Sequence, residues 1–214
     1  MLNTDRFSRW VFRLLPIFYV MGFLFHLIDA TFPVMLSMTP LTIFATAVIG
    51  FLPDVVAKHQ RLLLWAGVTF LCTFLLEVIG VATGWIFGGY VYGNTLGFSI
   101  LGVPVLIGIN WTLIIMGSVS LMKRVANHRT FVALGTAVVT VVFDWIMEPV
   151  AIALDYWTWS GGSIPVQNYI AWFLIAYAFT RLYETMQLKS SSTIPSLIVI
   201  IQAVFFLLLR LFVI

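Results

Sequence analysis

Charge is what this chain of 214 residues has least of: Asp, Glu, Lys and Arg together make up 9%, against about a quarter in soluble globular domains. With 62% of residues hydrophobic, an ordinary soluble domain is excluded. The chain reads instead as an all-α polytopic membrane protein, a single transmembrane domain over 1–214. Its one cysteine, Cys72, lies in an apolar run, so there is no disulfide framework. The histidines His26, His59 and His128 are divided between the two membrane faces and lack Glu-x-x-His or His-x-x-Glu-His spacing. No metal site is expected, and an embedded di-metal oxidase is excluded. The last apolar run holds no lysine, which removes a retinal Schiff base. No Gly-x-Ser-x-Gly or phosphate loop is present, and no cofactor is expected. Basic residues are scattered over short loops, which argues against nucleic acid as a partner. The first apolar run carries Arg13, Pro16, His26 and Asp29 and no clean small-residue cleavage site, unlike a signal peptide.

What is abundant is apolar sequence in runs of about twenty residues, the length that crosses a bilayer as a helix. Seven such runs are expected, near Val11–Ala30, Met35–Leu52, Arg61–Thr83, Gly102–Met122, Phe131–Leu154, Val166–Met186 and Ile194–Val213. Every Lys and Arg except Arg210 then falls at one membrane face. The positive-inside rule makes that face, and the N-terminus, cytoplasmic, so a multi-pass protein of the cytoplasmic membrane is expected. Runs two and seven carry almost no polar residues and read as lipid-facing walls.

The fifth run contains Asp144-Trp145-Ile146-Met147-Glu148-Pro149. Carboxylates at that depth are costly and are kept for function or for hydrogen bonds across a helix interface. On a helix, Asp144, Glu148, Ala151 and Asp155 lie within about 60° of one another, an acidic stripe. Pro149 cannot donate to the carbonyl of Trp145, so a kink or opening is expected beside Glu148. Glu77 sits about 9 Å inside the outer end of run three. Asn110 and Trp111 lie at mid-depth in run four, Asn168 and Trp172 in the outer third of run six, and His26 and Asp29 close the outer end of run one.

The two longer outer loops look alike. Tyr90-Val91-Tyr92 and Trp157-Thr158-Trp159 both alternate aromatics, which puts a pair of rings on one side of an extended segment. Each loop joins a carboxylate-bearing helix to one beginning near a proline, Pro104 or Pro165, as a parallel repeat of helix hairpins would. For Trp85, Tyr156 and Tyr183, the usual interfacial belt is an equal account.

Carboxylates, amides and aromatic rings in a low-dielectric cavity suit alkene protonation. Burial favours a neutral carboxyl that can act as an acid. Protonating a trisubstituted double bond gives a tertiary cation, which aromatic faces stabilise. A second carboxylate can then hold and deprotonate water. The candidate catalytic residues are Glu148, Asp144 and Glu77. The candidate substrate or cation contacts are Tyr90, Tyr92, Asn110, Trp111, Asp155, Trp157, Trp159, Asn168 and Trp172.

Two segments carry a family resemblance. They are Leu76-Glu77-Val78-Ile79-Gly80 with Gly84, Tyr90, Tyr92, Gly97, Gly102-Val103-Pro104-Val105 and Trp111, and Asp144 to Ala151 with Trp157, Trp159 and Pro165 to Trp172. Together they resemble the integral-membrane carotenoid biosynthesis proteins of the carotenoid 1,2-hydratase family, the bisanhydrobacterioruberin and γ-carotene hydratase type. The resemblance covers roughly Glu77 to Trp172. It implies addition of water across the terminal double bond of an acyclic ψ end group, giving a tertiary alcohol. The implied partners are a lipophilic carotenoid, membrane lipids and other enzymes of the same pathway.

Two other readings stay open. A carotenoid or isoprenoid cyclase would start from the same cation and lose a proton where a hydratase adds water; Asn110 and Asn168 near the acids favour held water. A proton-coupled transporter would need a path from both faces, and the cytoplasmic halves of the spans read as nearly free of ionisable groups.

Overall fold

The computed structural model describes residues 4–214. Seven helices follow one another: α1 (Thr4–His26), α2 (Phe32–Val56), α3 (Gln60–Thr83), α4 (Val105–Met122), α5 (Arg129–Ala153), α6 (Val166–Thr185) and α7 (Ile194–Phe212). Between α3 and α4 lie β1 (Tyr90–Tyr92), β2 (Ser99–Ile100) and β3 (Val103–Pro104); β4 (Trp157–Trp159) lies between α5 and α6. The protein is all-α and polytopic, with these short strands as its only ribbons among the described residues. Six helices are long and apolar enough to cross a membrane; α6 is not in that set. It has 20 residues but carries Gln167, Asn168, Arg181 and Glu184, and it lies along α5.

Helix boundaries follow local chemistry. Prolines open α2 and α7, where a missing N–H costs nothing. Gly84 ends α3 at φ +69°, its N–H bonded to Gly80 O at 2.7 Å, a left-handed cap that glycine adopts freely. The α5 helix runs unbroken through Pro149. The Trp145 carbonyl that Pro149 leaves without a donor receives one from α7: Arg210 Nη1 donates to it at 3.1 Å. The same guanidinium lies 4.5 Å from the centre of the Trp145 ring. Arg210, the basic residue on the wrong face for the positive-inside pattern, thus completes the backbone beside Glu148.

Helices α3 to α6 surround the site, and α7 packs against α4, α5 and α1. This corrects the reading of run seven as a lipid-facing wall: Pro195, Ser196, Ile198, Val199, Gln202 and Leu209 are buried. Gly117 on α4 allows the approach, because a Cβ there would collide with the backbone of Pro195 and stand 2.5 Å from Val199 Cγ2. Farther out, Tyr19 on α1 bonds Thr46 on α2 at 3.1 Å and accepts from Gln202 Nε2 on α7 at 3.2 Å.

The basic end of the bundle also departs from expectation. Asp54, fully buried, accepts from Ser190 Oγ (2.7 Å), Ser191 N (2.7 Å) and Ser191 Oγ (2.8 Å), and lies 3.0 Å from His59 Nδ1. Lys123 Nζ meets Glu184 Oε1 at 2.7 Å. These ionisable groups are spent on tying the α6–α7 connection to α2 and α4.

Candidate functional site

Strands β1 and β4 pair antiparallel, Tyr90 opposite Trp159 and Tyr92 opposite Trp157. Because side chains alternate along a strand, all four rings share one face of the ribbon. Beneath them is a cavity lined by Glu77, Phe87, Tyr90, Tyr92, Trp111, Asp144, Glu148, Trp157, Trp159, Asn168 and Trp172. It offers about 10 Å³ to a water-sized sphere, the space that one water molecule needs.

Each carboxylate is held by donors from a different part of the chain. Glu77 Oε2 accepts from both Tyr90 OH and Tyr92 OH, the latter at 2.8 Å. Burial, and then the nearby Glu77 charge, push both phenols above their ordinary range, so they keep their protons and donate. Glu148 Oε2 accepts from Trp157 Nε1 at 3.0 Å and Trp159 Nε1 at 2.9 Å. Asn168 Nδ2 donates to Asp144 Oδ2 at 2.7 Å and to Glu148 Oε1 at 3.3 Å. Asp144 Oδ1 is buried and has no hydrogen-bond partner. Since an unsatisfied buried acceptor is costly, that oxygen is the natural place for a proton or for contact with a water.

Aromatic rings form the remaining wall. Trp111 and Trp172 stack at 3.6 Å and 22°, and Phe87 continues the column against Trp172 at 5.1 Å and 23°. Gly80 makes room for Phe87, because a Cβ there would stand 2.6 Å from Phe87 Cδ2.

The two hairpins α3–β1–α4 and α5–β4–α6 share spacings within their helices, although the connection from Gly84 to Pro104 is longer than that from Asp155 to Pro165. The step from Glu77 to Gly84 equals that from Glu148 to Asp155, and both later residues lie just past their helices at positive φ, +69° and +57°. The step from Pro104 to Trp111 equals that from Pro165 to Trp172, and those tryptophans are the stacked pair. The register of β1 with β4 centres on Val91 and Thr158, as a two-fold relation requires. Within this frame Asp144 stands where the first hairpin has Thr73, whose hydroxyl is satisfied by Thr69 O at 2.9 Å. Asn168 stands where it has Ile107. The acid pair and its amide are therefore particular to the second hairpin.

Of the residues expected from sequence, Glu77, Asp144, Glu148, Tyr90, Tyr92, Trp111, Trp157, Trp159, Asn168 and Trp172 come together. Asn110, half-buried, is not among the residues that line the cavity, although its neighbour Trp111 is. Asp155 is exposed: α5 ends at Ala153, and the left-handed residue turns out of the stripe shared by Asp144, Glu148 and Ala151. His26 and Asp29 lie outside the site as well; His26 Nδ1 is 2.7 Å from Gly22 O. Tyr156 and Tyr183 are buried, while Trp85 is exposed as an interfacial residue would be. Phe87 was not foreseen. Its signal was the proximity of Gly80 to a carboxylate, which a single chain does not connect to a ring seven residues later.

Residues 34–214 match the family model described as carotenoid biosynthesis protein. Over 122 residues the chain is 27% identical to the bisanhydrobacterioruberin hydratase of Haloarcula japonica, an alignment covering 53% of this chain and 42% of that protein. The chain thus matches less than half the length of that relative. No solved structure matches.

Proposed function

The chain belongs to the carotenoid biosynthesis protein family, and from that premise we propose that it is a carotenoid hydratase, adding water across the terminal double bond of an acyclic ψ end group. The observation that carries this reading is a cavity the size of one water, bounded by three carboxylates and an aromatic column. The Asp144–Glu148 pair shares a proton, as close like charges do. Glu148 is occupied by three N–H donors, so the proton sits on Asp144 Oδ1, the oxygen left open. It passes to the less substituted alkene carbon, and the π electrons form the new C–H bond. The tertiary cation left behind is stabilised by the rings of Trp111, Trp157 and Trp172. Water adds its oxygen to that carbon, and Glu77 takes the released proton. One proton leaves the pair and one arrives at Glu77, so return across the cavity resets the site with no net uptake.

The relative named a hydratase supports the reaction class, at the distance its identity implies. Space for held water supports hydration over cyclisation, which needs the cation kept dry. A hydrocarbon terminus is much larger than one water, so the substrate displaces the ring wall as it arrives. It does so sideways from the membrane, because its polyene is apolar. The test is expression in membranes containing a carotenoid with ψ ends, followed by mass analysis of the extracted pigment. A gain of one water is expected. Glu148→Gln and Asp144→Asn should each lower it about 10² to 10⁴-fold. A new pigment of unchanged mass but different chromatographic retention would identify a cyclase, and near wild-type hydration in both variants would show that the pair is structural.

A further inference from the structure

The basic residues of α1 are less scattered than the sequence alone implies. At 100° per residue, Arg6, Arg9 and Arg13 fall within about 60° of one another. They lie roughly opposite the face that buries Val11, Leu15 and Tyr19 against the bundle. All three are exposed, and with Trp10 they bound a surface cleft. Like charges three and four residues apart repel along a helix, and neither Arg9 nor Arg13 has a hydrogen-bond or salt-bridge partner among the described residues. By contrast, Lys123 and Arg124 at the same end of the bundle are engaged, by Glu184 and by Ser196 at 2.7 Å.

The same sector continues toward the middle of the helix as Ile17, Val20 and Leu24, which are 58%, 52% and 44% exposed. A cationic cleft thus stands directly above an apolar strip, on the side of the helix that faces lipid. That combination fits one occupant: an anion carried on hydrocarbon chains. The half-exposed Trp10 ring stands between Arg9 and Arg13 in the helix order, ahead of the apolar strip, and indoles favour the boundary between headgroup and acyl chain. We infer that the Arg6, Arg9, Trp10 and Arg13 cleft is a binding site for the phosphate headgroup of an anionic phospholipid, with its acyl chains along Ile17, Val20 and Leu24. The family match begins at residue 34, so α1 lies outside it. The site is also independent of the carboxylate cavity.

The full chain, purified in a neutral detergent, is offered phosphatidylglycerol or phosphatidylcholine, and retained lipid is counted by native mass spectrometry. Phosphatidylglycerol should be retained in preference. Arg9→Gln with Arg13→Gln should weaken that retention about 25-fold, about fivefold for each arginine. Arg181→Gln with Lys189→Gln removes the same charge from α6 and from the connection that follows it, and should leave it unchanged. Equal retention of the two lipids, or equal weakening by both pairs of substitutions, would overturn the inference. Competition by free glycerol phosphate as strong as by the lipid would also overturn it, by showing a site for phosphate alone. None of these outcomes bears on hydration.

Discussion

Asn168 on α6 holds Asp144 on α5, donating to Oδ2 at 2.7 Å, and extends the same amide nitrogen to Glu148 at 3.3 Å. One side chain therefore sets the spacing of the acid pair and leaves Asp144 Oδ1 without a partner. Hydrogen bonds to charged groups contribute about 1.5–3 kcal/mol each. Asn168→Ala should lower hydration roughly 10- to 150-fold in membranes, with little change in expression. Asn110→Ala, outside the cavity, should leave the rate within a few-fold of wild type.

The donors on the two sides of the cavity differ in kind, since Trp157 and Trp159 give N–H to Glu148 while Tyr90 and Tyr92 give O–H to Glu77. Replacing Trp157 and Trp159 together by Phe keeps aromatic surface and strips Glu148 Oε2 of its donors. Turnover should fall by at least tenfold. Tyr90→Phe with Tyr92→Phe does the same to Glu77 and should impair water capture. Proton exchange into the alkene from deuterated water should then persist while alcohol formation drops. Equal loss of both signals would remove Glu77 from the water-activating role.

Arg210 and Pro149 form a testable couple, because the guanidinium supplies the donor that the proline lacks. Arg210→Met should lower thermal stability in detergent by about 1–3 kcal/mol, the usual cost of a carbonyl left unmet away from water. Adding Pro149→Ala restores an N–H to the Trp145 carbonyl and should recover most of that loss. Additive effects in this double-mutant cycle would show that Arg210 does not cap the carbonyl.

Gly117 on α4 leaves no room for a Cβ against the backbone of Pro195 on α7. Backbone cannot move aside as a flexible side chain can. Gly117→Ala should destabilise the bundle by about 1–3 kcal/mol, read as a lower unfolding temperature. Gly67→Ala, which meets nothing within 4 Å, serves as the neutral comparison.

Sequence alone determined the class, the helix count and most of the residues that line the cavity. Apolar runs have a length set by the bilayer, and an ionisable residue inside one is rare enough to stand out, so Glu77, Asp144 and Glu148 were legible one by one. The aromatic alternation of Tyr90-Val91-Tyr92 and Trp157-Thr158-Trp159 was legible too, because strand periodicity is local. Tertiary structure decided how these pieces meet. That β1 pairs with β4, that Asn168 reaches Asp144, and that Phe87 fills the space beside Gly80 are contacts between distant segments, which no local period encodes. Burial of α7 was likewise invisible. An apolar helix has the same composition whether lipid or protein surrounds it, because lipid tails and packed side chains are equally free of charge. Arg210 could be read only as an exception to a charge rule until the fold placed it on the carbonyl that Pro149 had left open.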